Sequence, residues 1–245
     1  MLKYRFTFLL LLFSCGMLLA QIGGIRFGGG VGYSLYTGNQ MDQTISFSTR
    51  GKSELNLGST LQMHVAINDK YEIGIKYLTT SLWSFKSKDI YGLHAEIDEL
   101  GIMLQRSLND NIKINDGRFT FNVFAGVGAC QFKSAFYDFS VPYTSSNFPI
   151  TSIGYGSQPT TSGISLPNKL IQPILIGGIS VGVRINNFTT IYFENSFSTT
   201  NSNKISGNLY RKNAIPPDGY TFHAITVYLN YYKSNRPSRI RCPKF

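Results

Sequence analysis

From Ile25 to Tyr232 apolar side chains recur at every second position in short runs, and the connections between runs alternate between long and short. Successive side chains on a β-strand point to opposite faces, so this period builds a wall with one apolar face. Ile25, Phe27, Val31, Tyr33 and Leu35 share one phase, and Arg26, Gly28, Gly30, Gly32 and Ser34 fill the other. The second run sets Leu55, Leu57, Leu61, Met63 and Val65 against Glu54, Asn56, Thr60, Gln62 and His64. In the third, Tyr71, Ile73, Ile75 and Tyr77 oppose Glu72, Gly74 and Lys76, after an Asn68-Asp69-Lys70 turn that signals a hairpin.

The fourth run, Tyr91 to Arg106, starts with Leu93, Ala95 and Ile97 on one phase and continues with Leu100, Ile102 and Leu104 on the other. One extra residue near Asp98 or Glu99 makes that shift, so a β-bulge is expected there. Run five carries Phe119, Phe121, Val123, Ala125 and Val127. Run six carries Leu175, Ile179, Val181, Val183 and Ile185. Run seven has Ile191, Phe193 and Phe197, and run eight has Ile225, Val227, Leu229 and Tyr231.

A soluble sandwich or lipocalin-like barrel also alternates. Composition weighs against the soluble form: 15% of residues are charged, 14% are aromatic, and the charges fall mostly outside the runs. Wet ends and a dry waist suit a membrane wall. The pattern therefore predicts an all-β fold, an eight-stranded antiparallel transmembrane β-barrel wound as an up-and-down meander.

Met1 to Ala20 has Lys3 and Arg5, then an apolar stretch, then Ala20 before Gln21, the layout of a secretory signal peptide cut between Ala20 and Gln21. No other stretch reaches the ~18 apolar residues of a spanning helix. The expected organisation is a leader over 1–20, a barrel over 21–232 and a basic periplasmic tail over 233–245. Cys130 and Cys242 are expected at opposite ends of the barrel, too far apart for a disulfide, and no metal-type cysteine spacing occurs. Neither a cofactor nor a metal site is expected.

The formal net charge of +10 is concentrated in places. Lys233, Arg236, Arg239, Arg241 and Lys244 crowd the tail with no acid among them, which makes them candidate contacts for an acidic partner. With the amino terminus on the periplasmic side, the long connections Thr37 to Ser53, Ser84 to Ile90, Lys133 to Lys169 and Asn201 to Gly219 become extracellular. Their basic excess suits the phosphates of outer-membrane lipid and lipopolysaccharide. A periplasmic or outer-membrane protein complex is the other expected partner, and no nucleic acid is.

An eight-stranded barrel is just wide enough for its own side chains. The inward phase is expected to hold Gln62, His64, Glu72, Lys76, His94, Glu96, Arg184 and Glu194. Lys76 and Arg184 would pair there with Glu72, Glu96 and Glu194. The Gly28-Gly29-Gly30-Val31-Gly32 run is not a nucleotide loop, because Tyr33 stands where Gly-x-Gly-x-x-Gly needs its last glycine. Close packing inside a narrow barrel accounts for it. For a serine hydrolase at the rim, acting on lipid, His223 with Ser196 or Ser198 is the one pair to test. The overall expectation is a noncatalytic chain, with a rim enzyme or a narrow channel as alternatives.

Phe124-Ala125-Gly126-Val127-Gly128-Ala129, then Leu170-Ile171-Gln172-Pro173 and the Gly177 to Val183 strand, resemble the small outer-membrane barrels that include the PorG component of the type IX secretion apparatus. The ending Arg241-Cys242-Pro243-Lys244-Phe245 is similar too. The resemblance implies an outer-membrane anchor for periplasmic secretion or motility components.

Overall fold

A computed structural model describes residues 24–38, 56–68, 70–86, 91–108, 119–139, 148–156, 159–202, 204–207, 209 and 218–231. The leader with its Ala20–Gln21 cut and the tail with Lys233, Arg236, Arg239, Arg241 and Lys244 lie outside the described residues.

Among the described residues ten strands follow in order: β1 (Ile25–Thr37), β2 (Asn56–Ala66), β3 (Tyr71–Lys86), β4 (Tyr91–Ser107), β5 (Phe119–Asp138), β6 (Thr151–Ile153), β7 (Ile164–Leu166), β8 (Leu170–Arg184), β9 (Thr189–Thr200) and β10 (Gly219–Tyr231). Eight of them form the wall, in the order β4-β3-β2-β1-β10-β9-β8-β5, and the β4–β5 pairing closes the ring. Every wall pairing is antiparallel. The wall is thus the expected eight-stranded meander, and closure leaves it without a free edge. β6 and β7 are short additions inside the long connection, where β6 pairs with β5 and β7 runs parallel to β6.

β4 carries no bulge. Its register is unbroken from Tyr91↔Asp138 to Ser107↔Asn122 against β5, and from Lys86↔Tyr91 to Tyr71↔Arg106 against β3. The phase shift has a different cause, a reversal of polarity along the wall. Outward on β4 stand Leu104, Ile102 and Leu100, all about half exposed or more, and then Asp98 and Glu96. Inward on the same strand stand Gln105 and Met103, then Glu99, and then the fully buried Ile97, Ala95 and Leu93.

β5 repeats the reversal. Its outward side chains are apolar from Phe119 to Ala129 and then become Gln131 and Lys133, while its inward ones pass from Thr120 and Asn122 to Cys130 and Phe132. Ten steps of ~3.4 Å span about 34 Å along the strand, or about 26 Å along the barrel axis at a tilt near 40°, the height of a lipid-facing belt. Above that belt water lies outside, so the wall turns its apolar side inward.

β3, β4 and β5 run on past their neighbours. β2 pairs with β3 as far as Gly58↔Thr80, and β8 begins opposite Phe132. The expected loop from Lys133 therefore begins later, because Lys133 to Asp138 belong to β5. The exposed edge of this taller wall is capped by Asn56, whose side-chain oxygen accepts from the Trp83 amide (2.9 Å) and whose nitrogen donates to the Trp83 carbonyl (3.2 Å).

Candidate functional site

The lumen divides into two halves. Toward the termini, Arg26 on β1 forms an ion pair with Glu72 on β3, donates to the Tyr192 hydroxyl (2.8 Å) and lies over the rings of Tyr192 (5.4 Å) and Tyr228 (4.9 Å). Glu194 accepts from Gln62 Nε2 (2.6 Å) and lies 2.9 Å from the Tyr228 hydroxyl. His64 meets Gln62 Oε1 at 3.1 Å and packs edge-on to Tyr228. Tyr228 fits because a glycine faces it: a Cβ on Gly28 would lie 2.5 Å from its ring. That use of the glycine run is packing.

One layer higher, Lys76 donates to Ser196 Oγ (2.9 Å) and stands 3.9 Å from Glu99 Oε1. Glu99, fully buried, accepts from Ser198 Oγ (2.8 Å) and Tyr220 OH (2.5 Å). Above this layer the lumen is mainly apolar, filled by Leu78, Leu82, Leu93, Ile97, Phe132 and Phe222 with small hydroxyls such as Ser34 and Thr80 among them, and Ile153 and Ile205 join the same cluster from the long connections. The segment 204–207 is held over the wall by Ser134 Oγ donating to the Lys204 carbonyl (3.2 Å) and Thr151 Oγ1 donating to the Gly207 carbonyl. Asp218 accepts from the Ser206 amide (2.9 Å) and from Tyr36 OH, and burial pushes its carboxyl above the usual range.

The predicted lumen residues are thus only partly gathered. Glu72, Lys76 and Glu194 face inward, but their partners are Arg26, Glu99, Gln62 and Tyr228. Glu96 and His94 are corrections. With β4 continuous, both lie on the outer face, where Glu96 pairs with Lys133 (3.4 Å) and His94 stacks on Trp83 (4.4 Å). Arg184, at the exposed end of β8, makes no ion pair among the described residues. Arg26 and Glu99 were missed. Arg26 was legible from its phase opposite Phe27, and Glu99 was hidden by the supposed bulge.

The hydrolase pair is excluded by the same two-residue period. His223 stacks on the outward Tyr33 (4.8 Å), whereas Ser196 and Ser198 are buried inside the wall.

The outer face above the belt carries a second cluster. Asp98 accepts from Thr79 Oγ1 (3.0 Å) and Tyr77 OH (3.2 Å) and pairs with Lys169 (3.5 Å). Tyr155 OH meets His94 Nδ1 (3.0 Å), and Lys133 Nζ lies 5.5 Å from the Tyr155 ring centre. Burial, and after it the Glu96 carboxylate, push the Tyr155 phenol well above its ordinary range. Between Leu57 and Asp98 this face is hollowed by a cleft of about 480 Å³.

A closed antiparallel wall with an apolar belt outside and a polar, self-paired lumen inside defines a membrane-spanning β-barrel of the bacterial outer-membrane class. The chain is similar in fold to Ail, the attachment invasion locus protein of Yersinia pestis, at 9% identity and a TM-score of 0.46, over 86% of this chain and 99% of that one. It is also similar to Neisserial surface protein A, at 7% identity and a TM-score of 0.46, over 84% and 96%. A major outer membrane protein from Thermus thermophilus aligns at 9% identity with a TM-score of 0.44, over 84% and 99%. No protein-family model and no curated protein matches the chain. The fold assignment rests on the closed strand register itself.

Proposed function

We propose that this chain is a noncatalytic outer-membrane barrel that anchors or scaffolds partner proteins, in the setting of type IX secretion that its resemblance to PorG-type barrels implies. The observation that carries this reading is the filled lumen. Apolar side chains occupy the half toward the long connections, and paired charges occupy the half toward the termini. A barrel filled in this way holds itself in lipid and leaves binding to its two ends and its outer wall. Lipid and lipopolysaccharide surround the belt, the long connections face outward from the cell, and the basic tail reaches the periplasm.

Truncation after Tyr232, followed by cross-linked pull-down from outer-membrane fractions, tests the tail as the contact. The barrel is expected to keep its heat-modifiable gel migration while recovery of a periplasmic partner falls. Unchanged recovery overturns the role of Lys233, Arg236, Arg239, Arg241 and Lys244. Failure of the full-length chain to fractionate with the outer membrane overturns the reading as a whole.

A further inference from the structure

We infer that the cleft on the outer face of β2, β3 and β4 is a binding site for the sugar headgroup of an outer-leaflet glycolipid. The inference rests on the outer-membrane reading above, and it places one ligand at one part of the wall.

The cleft begins where the belt ends. Leu57, 83% exposed, stands on β2 beside the upper row of the cleft, while Leu61 and Leu100 lie below the cleft on the lipid-facing surface, so an occupant entering from the bilayer keeps its acyl chains on the belt. Above Leu61 and Leu100 the outward positions of β3 and β4 change to hydroxyls and carboxylates. Ser59 pairs with Thr79 and Thr79 with Asp98 across three strands, and Ser81 pairs with Glu96 one row higher. Strands ~4.8 Å apart and rows ~6.8 Å apart put these groups within hydrogen-bonding reach of several hydroxyls of one sugar. Among the described residues the Ser59 and Ser81 hydroxyls make no hydrogen bond.

Charge and shape point to the same ligand. Lys133 and Lys169 flank the two carboxylates, and all four side chains are between 29% and 49% exposed. A phosphorylated sugar presents hydroxyls to the acids and phosphate oxygens to the lysines. His94 stacks on Trp83 (4.4 Å) and on Tyr155 (6.3 Å) beside Glu96, adjoining the residues that line the cleft. The apolar C–H face of a sugar packs on such rings, whereas a phospholipid headgroup has no comparable face. The cleft, of about 480 Å³, is shallow and open to the outside.

The test uses the full-length chain, refolded without glycolipid, and purified lipopolysaccharide as the probe, with phosphatidylethanolamine vesicles as the comparison. The E96Q/D98N double variant and the Ser81→Ala variant are measured beside the wild type, all checked by heat-modifiable migration. The wild type is expected to bind lipopolysaccharide in preference to phosphatidylethanolamine. The double variant should lose at least about tenfold in affinity, the scale of one charge-assisted hydrogen bond. Ser81→Ala keeps both ion pairs and should lose less, so it preserves the test if the double variant fails to fold. Equal binding by wild type and variants, or no preference between the two lipids, overturns the site. Outer-membrane fractionation of the same chains reads the underlying assignment separately.

Discussion

The Glu99 carboxylate on β4 accepts a 2.5 Å hydrogen bond from the Tyr220 hydroxyl on β10, the strand diametrically across the ring. Ser198 on β9 donates to the same oxygen at 2.8 Å. Together they tie opposite walls at the level where the lumen changes from polar to apolar. Tyr220→Phe removes one charge-assisted bond from a buried acid and is expected to cost about 1.5–3 kcal/mol. Glu99→Ala also strands Lys76, so its cost should reach about 3–5 kcal/mol. Urea unfolding in detergent checks the order, and a smaller loss for Glu99→Ala than for Tyr220→Phe refutes the strut.

Arg26 and Glu72 form a second tie, from β1 to β3 over β2. Removing one partner leaves a charge in the lumen. Arg26→Met alone should therefore destabilise more than Arg26→Met combined with Glu72→Met. Additive losses in a double-mutant cycle show that the pair contributes no coupling.

The apolar half of the lumen predicts silence in planar bilayers, with no unitary current from the wild type. Phe132→Ala should cost about 3–5 kcal/mol as a core cavity and still pass no current, because Leu78, Leu93 and Ile97 remain in the cluster. Discrete conductance steps from the wild type contradict a filled lumen.

At the β1–β10 seam, a Cβ on Gly32 would collide with the backbone of His223 and Ala224. Backbone cannot move aside as a flexible side chain can, so Gly32→Val is expected to prevent closure. Gly29→Ala meets only ordinary contact with Leu61 (3.7 Å) and should fold. The fraction of heat-modifiable protein after refolding compares the two.

Asp218 anchors the segment that covers the loop end of the lumen, and burial raises its carboxyl above the ordinary value. A carboxyl raised by folding favours the folded state most when protonated. Its contribution is complete below the unfolded value of ~3.9 and is lost as pH rises through the higher folded value. Hydrogen exchange at Ser206 and Gly207 should therefore slow on acidification beyond the intrinsic rate change, and Asp218→Asn should remove that dependence. Equal protection factors across the range in the wild type exclude the linkage.

Much of the wall was legible from period two alone. The number of wall strands, their neighbours and the inward phase of Glu72, Lys76 and Glu194 follow from which positions alternate. Strand ends were less so: β5 continues to Asp138 and β10 starts at Gly219, because a polar outward face above the belt looks like loop. The outer cleft was not legible, since Ser59, Thr79 and Asp98 meet only when three strands are in register.

Alternation along the chain by itself determined an antiparallel wall with one lipid-facing side, because side-chain direction on a strand is a local property. Only the closed ring decided which residues face each other across the lumen and where inside and outside exchange polarity. Glu96 and Glu99 differ by three positions and so by face. An unbroken β4 sends Glu96 outward to Lys133 and Glu99 inward to Tyr220. Register between strands settles that choice, and register depends on residues far apart in the chain.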